Sequence, residues 1–318
     1  MNDLKQGSLR DNFIFSQKQK VEENKGKGYV YALQAFFAWG LLPLYWKQLS
    51  HLPAIDILAH RIIWSVVFSA IFLYFQKNFN LMPILRSPYR MKRLVIASLL
   101  VGSNWGLFIY AVNLGHIVEA SLGYYINPLV NVALGIIVLK ERLKTLQLIA
   151  LVLAASAVVY LTVDYGQFPW IAIYLAFSFG FYGLMKKTSQ VEAMPALVVE
   201  TLVLSPLALI YVAWGLINGS SPLYNANIET LSLLVLTGVI TTMPLYWFAL
   251  GARLISLSAI GFMQYIGPSL MLMIGLFVYH EPFANQQFIA FSMIWGALIL
   301  YSISIILMVR KRRIEMKN

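Results

Sequence analysis

The sequence predicts an all-α integral membrane protein with ten transmembrane helices arranged as two inverted five-helix repeats. Three observations carry that expectation. Hydrophobic residues make up 59% of the chain and charged residues only 12%, and long apolar runs recur from end to end, more than one soluble core would bury. The chain also repeats itself at an offset of 140 residues: Tyr125-Ile126-Asn127-Pro128 returns as Tyr265-Ile266-Gly267-Pro268, and Glu141 and Glu281 follow the two prolines at equal spacing. Gly135/Gly275, Gln147/Gln287 and Ala157/Ala297 match at that offset, which also carries Gly40 onto Gly180, Lys47 onto Lys187 and His60 onto Glu200. Finally, the basic residues collect in alternate connections and in the tails.

Taken in order, residues 1–27 are polar and mixed in charge and read as a mobile cytoplasmic tail. No short apolar core with a small-residue cleavage site precedes the first span, so that span is expected to act as an uncleaved targeting signal. A helix needs about 20 apolar residues to cross the hydrocarbon. The first repeat, residues 28–163, supplies spans at 28–48, 53–75, 91–113, 117–139 and 145–163, with Arg86-Ser87-Pro88 marking the break before the third. The second, residues 168–309, supplies spans at 168–187, 194–217, 229–250, 257–279 and 285–309. Asn218-Gly219-Ser220-Ser221-Pro222 separates the seventh from the eighth. A basic cytoplasmic tail, 310–318, closes the chain.

Charge sets the orientation. With the N-terminus in the cytoplasm, every Lys and Arg except Lys47 and Arg61 falls on the cytoplasmic side, and the 218–228 loop has neither. That split follows the positive-inside rule and puts both termini of a multi-pass protein of the cytoplasmic membrane inside. Five spans per repeat is an odd number, so the second copy enters from the opposite face. The two repeats are then related by a pseudo-two-fold axis in the membrane plane, the layout of many secondary transporters.

The same composition excludes other classes. The chain has no Cys and only four His, so disulfides and thiolate metal sites are out and no metal centre is expected. No Walker A loop occurs, and neither a nucleotide nor any other cofactor is expected. The net charge of +11 would suit nucleic acid, but its confinement to short loops and tails argues against that partner. The partners expected are a small-molecule substrate, protons or a counter-substrate, and membrane lipids; the repeats leave room for a homodimer.

Two stretches resemble a known family. They are Gly40-x-x-x-Leu44-Tyr45-Trp46-Lys47-x-Leu49-Ser50-His51-x-Pro53 and Asp56-Ile57-Leu58-Ala59-His60-Arg61-Ile62-x-Trp64-Ser65. Together with Tyr-Ile-Asn-Pro…Leu-Lys-Glu-Arg-Leu at 125–143 and its counterpart at 265–283, they are similar to the RarD branch of EamA-type permeases in the drug/metabolite transporter superfamily. The resemblance covers residues 28–310 and departs at Asp56, where the branch often carries Glu. It implies ten helices, a central cavity, and ATP-independent export or exchange of small metabolites or drugs.

Charges inside the spans are the sharpest residue-level signal, because an Arg near the bilayer centre costs at least about 2.5 kcal/mol and usually faces a bundle interior or a wet cavity. Arg61 sits about 12 Å into the second span at 1.5 Å per residue. Asp56 and His60 are four apart and share one helix face. His60 and Arg61 read as a substrate-anion site or a proton-sensitive gate; the bland alternative is a structural ion pair with Asp56 snorkelling outward. Glu200, the mate of His60, lies about 10 Å in from the cytoplasmic face, so the two are expected to serve opposite ends of one pathway rather than to pair. Glu119 reads either as an interfacial acid at a helix start or as part of the outer mouth. Glu141 and Glu281 read as caps or gate contacts.

Pro128 and Pro268 fall near mid-membrane. A proline there frees a backbone carbonyl and kinks the helix, and interrupted helices in both repeats point to a transporter's binding site. Asn127 and Gln264 are uncharged hydrogen-bonders beside them. Trp39, Trp64, Tyr125 and Tyr265 suit a cavity wall for an amphipathic or aromatic solute, whereas Tyr45, Trp46 and Trp247 suit the interfacial belt. Ser98, Gly102 and Gly106 form a small-residue stripe, read as a packing seam. The rival reading is a membrane-embedded enzyme acting on lipid, from a superficial His51-x4-Asp56 acyltransferase-like motif. No nucleophile or phosphate-binding loop supports it, and no catalytic residues are expected.

Overall fold

Hydrocarbon offers no partner for backbone N–H and C=O groups, so apolar spans must satisfy them internally, as helices do. In the computed structural model, which describes residues 2–76, 81–114, 116–280 and 285–315, the chain is built accordingly, and no strand occurs among the described residues. In order, the helices are α1 (Asn2–Gln48), α2 (Ala54–Phe75), the single turn α3 (Met82–Leu85), α4 (Pro88–Asn113), α5 (Ile117–Ile137) and α6 (Thr145–Tyr165). After them come α7 (Trp170–Thr188), α8 (Ala193–Ile217), α9 (Ile228–Leu254), α10 (Leu257–Gln264), α11 (Ile266–Phe277) and α12 (Asn285–Glu315). A 3₁₀ turn (Pro222–Asn225) lies between α8 and α9.

Eight helical stretches among the described residues are long and apolar enough to cross a membrane, with α10 and α11 together forming one of them. The expected first and sixth spans fall in α1 and α7, which are not among the eight. Both carry Trp, Tyr, Gly and terminal Lys in their apolar runs, which lowers hydropathy without preventing burial. Residues 2–27, expected as a mobile tail, belong to the long helix α1.

The packing pairs elements of the two halves. Helix α5 lies on α7 as α11 lies on α1; α1 lies on α9 as α4 lies on α7; α2 lies on α9 as α4 lies on α8. The remaining major pairs, α2 with α8, α5 with α10 and α6 with α12, join elements that are each other's 140-residue mates. Close approach follows the same logic. A Cβ on Gly40 would meet the Leu270 side chain at 2.7 Å, and one on Gly180 would meet Val130 at 2.6 Å. Gly40 is the mate of Gly180, and Val130 of Leu270.

Helices α2 and α8 run antiparallel. The Tyr211 hydroxyl, late in α8, donates to Asp56 at the start of α2 (3.3 Å), while Leu73 near the end of α2 packs with Met194 and Val198 at the start of α8. Arg61 and Glu200 therefore lie toward opposite ends of the bundle.

The two prolines act unequally. Pro268 cannot donate to the carbonyl of Gln264, and its ring crowds that carbonyl; α10 stops at Gln264 and α11 resumes at Ile266. Helix α5 runs through Pro128 without interruption, so the break expected in both repeats appears only in the second. The small-residue stripe is also only partly a seam: Gly102 faces Leu204 at 2.6 Å, but nothing lies within 4 Å of a Cβ on Gly106.

Candidate functional site

Four helices converge on Arg61. Its Nε donates to the Thr241 hydroxyl of α9 at 2.7 Å. The guanidinium lies 4.1 Å from the ring centre of Trp105 on α4 and 5.6 Å from that of Trp46 on α1. Arg61, Trp46 and Trp105 are half-buried, whereas Thr241 is buried. Among the described residues no carboxylate lies within 4.0 Å of this guanidinium. Cation–π contact offsets part of the cost of desolvation, yet no acid among the described residues neutralises the charge. Trp64 stands one turn further along α2, with its carbonyl against Gly238.

His60 and Asp56 are both buried on α2, one turn apart, and Asp56 takes its hydrogen bond from Tyr211 rather than from Arg61. His51 engages Thr230 at 3.2 Å. The two ends of the acyltransferase-like motif thus have separate partners.

Toward the opposite end lies a block of rings. Trp39 packs against Phe36, Phe179 and Phe248 at 5.6–5.7 Å between centroids, and Tyr182 stacks on Phe248 at 6.1 Å. Beyond it, the Lys186 ammonium donates to both oxygens of Glu200 at 2.8 Å, and the Tyr182 hydroxyl donates to the same carboxylate at 3.3 Å. All three side chains are buried. In an apolar interior such a pair persists only when each charge meets the other and the remaining lone pairs are bonded, and this trio meets that condition. Lys187, next in sequence, ties α7 to the end of α9 through the carbonyls of Ala252 (3.0 Å) and Ile255 (2.5 Å).

Between these ends the candidate midplane residues meet in pairs. Gln264 donates to Asn127, Asn131 donates to Gln264 at 2.7 Å, and Asn127 donates to the carbonyl of Ala176 at 2.5 Å. The Tyr265 hydroxyl donates to the carbonyl of its own mate, Tyr125, at 3.2 Å. Tyr265 is fully buried, and Tyr125 turns an edge to Phe291 at 5.4 Å. Pro128 presents its carbonyl to Gly261, where a Cβ would stand 2.5 Å away. These residues, with Pro268 at the helix break, form a packed seam between the halves rather than one open surface.

Glu119 and Glu141 serve helix starts. Glu119 accepts from the Ile171 amide at 2.8 Å, at the first turn of α7, and from Tyr165 at 3.1 Å; His116 stands 3.8 Å away. Glu141 accepts from the amides of Leu257 (2.7 Å) and Ser258 (2.9 Å) and from the Ser258 hydroxyl, at the first turn of α10. Carboxylates there satisfy donors that a helix leaves unpaired. Glu281 lies outside the described residues.

Sequence reasoning places Lys186 with the cytoplasmic basic residues, because it adjoins Lys187 at a span end; the structure buries it instead. Thr241 and Asn131 give no sequence signal beyond being polar within a span. Trp46 and Trp105 stand out only as aromatics.

The comparisons with known proteins bear on this arrangement. The sequence profile of the EamA-like transporter family matches residues 26–163. The chain is 47% identical to the uncharacterized transporter YojE of Bacillus subtilis (strain 168), covering 87% of this chain and 94% of that protein. It is 42% identical to an uncharacterized transporter of Vibrio cholerae, covering 89% and 94%. With the protein RarD of Escherichia coli (strain K12) it shares 40% identity over 86% of this chain and 93% of that one. A crystal structure of another protein superposes with a TM-score of 0.69 at 16% identity, over 87% of this chain and 97% of that chain; this is a likeness of fold alone.

Proposed function

Because the chain belongs to the EamA-like transporter family, in its RarD-like branch, we propose that it is a secondary transporter moving a small metabolite or amphipathic solute across the cytoplasmic membrane by alternating access. Its ten spans form two inverted five-helix halves, residues 28–163 and 168–309, with both termini in the cytoplasm. The pairing of mate helices across the bundle supports this arrangement, as does the one-sided distribution of Lys and Arg.

One observation carries the reading. Toward one end a half-buried Arg has no carboxylate partner among the described residues; toward the other, a buried ion pair and a ring block fill the bundle. The charge count assigns the Arg61 end to the outside. The described state is then shut inward, and exchange of which end is shut would move solute. His60, Asp56 and Glu200 serve coupling to protons or to a counter-substrate.

Counterflow in proteoliposomes tests this. A labelled small solute recovered from a metabolite comparison of cells with and without the protein should exchange against unlabelled solute, saturably and without chemical conversion. Protein-dependent conversion of a lipid or solute with no exchange overturns the proposal.

A further inference from the structure

We infer that the transported solute is an organic anion with a flat apolar body, its carboxylate held by Arg61 and its body laid against Trp105 and Trp46; this inference rests on the transport reading above. The two ends of the bundle treat their cations differently. Position 46 is the 140-residue mate of position 186, and His60 is the mate of Glu200. At the inner end Lys186 is neutralised by Glu200 from the neighbouring helix. At the outer end Trp46 stands where the inner end has its lysine, and the cation, Arg61, has no acid facing it among the described residues. One end carries its own counter-ion. The other leaves that role to whatever enters.

The geometry fits a carboxylate. A guanidinium is a planar fork whose two terminal nitrogens match a carboxylate's two oxygens, and it stays charged when partly desolvated. Arg61 spends its Nε on Thr241, which fixes the plane of the fork. Its terminal nitrogens make no hydrogen bond to the chain among the described residues. The two indoles at 4.1 and 5.6 Å from the guanidinium carbon supply a broad apolar surface beside the charge. A small hydrated anion such as chloride would leave that surface unused; an arylacetate-like acid covers both features. A cationic solute would meet Arg61 with no acid among the described residues to screen it. The nearest acid on the same helix, Asp56, is buried and bonded to Tyr211.

The test uses the full chain in lipid nanodiscs, with binding read as thermal stabilisation by indole-3-acetate, its neutral amide indole-3-acetamide, tryptamine, and chloride alone. The acid should bind at least tenfold more tightly than the amide, and tryptamine and chloride should leave the melting temperature unchanged. R61Q should abolish the preference for the acid, R61K should keep part of it, and W105L should keep the preference for anions while losing that for indole-3-acetate over acetate. Equal binding of acid and amide overturns the inference, as do stabilisation by chloride alone to the same extent, no binding of the acid at millimolar concentration, an undiminished preference for the acid over the amide in R61Q, or an undiminished preference for indole-3-acetate over acetate in W105L. The transport reading fails separately. Counterflow confined to neutral or cationic solutes would leave transport standing and sink the anion site. Anion binding without any exchange would do the reverse.

Discussion

Glu200 accepts two bonds from Lys186 and one from Tyr182, all three side chains being buried. Removing one partner strands the other as a bare charge, which typically costs about 3–5 kcal/mol, while replacing both by apolar residues is often neutral. E200Q and K186M should each lower the unfolding midpoint in detergent, and the double variant K186M/E200L should recover most of the loss. Additive losses in the double variant would show that the pair is not one unit. His60 carries a second prediction at this scale. Its side chain ordinarily titrates near neutral pH, so if it couples protons to transport, exchange should vary with pH and His60→Ala should flatten the profile; an unchanged profile removes it from coupling. Arg61, His60 and Glu200 are legible in the sequence because charge inside an apolar span is costly. Lys186 is not, because a lysine beside another at a span end looks the same whether it reaches water or bends back to a partner.

Helix starts and crossings are read less evenly at the scale of elements. The repeated glutamate 13 residues after each proline points to a cap, and Glu141 does hold the first amides of α10. Losing a side-chain cap costs about 0.5–2 kcal/mol, so Glu141→Ala should destabilise by that amount and Glu141→Gln by less. Equal losses would mean that the cap acts through the carboxylate's charge alone and that a neutral acceptor cannot replace it. Glycines separate seam from surface: Gly261→Ala forces a Cβ onto the Pro128 carbonyl at 2.5 Å and should destabilise. Gly106→Ala, with open space, should be neutral or gain up to about 1 kcal/mol of helix propensity. Equal midpoints for the two variants would contradict the close α5–α10 crossing. The sequence marks both prolines alike, yet only α10 and α11 are interrupted. A proline shows where a helix has lost a hydrogen bond; neighbouring helices decide whether it bends smoothly or breaks, and those contacts come from distant parts of the chain.

For the molecule as a whole, the 140-residue repeat marks which elements correspond, but not which of them touch. Three mate pairs, α2 with α8, α5 with α10 and α6 with α12, pack on each other, and the seam closes where Tyr265 bonds the carbonyl of Tyr125. Which end is shut was not legible, since a repeat treats its two ends alike and the closure depends on side chains in which the copies differ. We propose that one pathway, entered from outside at Arg61, is shut at Lys186–Glu200, and that the two ends close in turn. The chain has no Cys, so single cysteines report cleanly. The most direct test is labelling by a membrane-impermeant thiol reagent at Trp46→Cys from outside and Thr201→Cys from inside, with and without E200Q. Loosening the inner pair should raise labelling at position 201 and lower it at position 46. Labelling that rises at both positions, or changes at neither, would contradict the account.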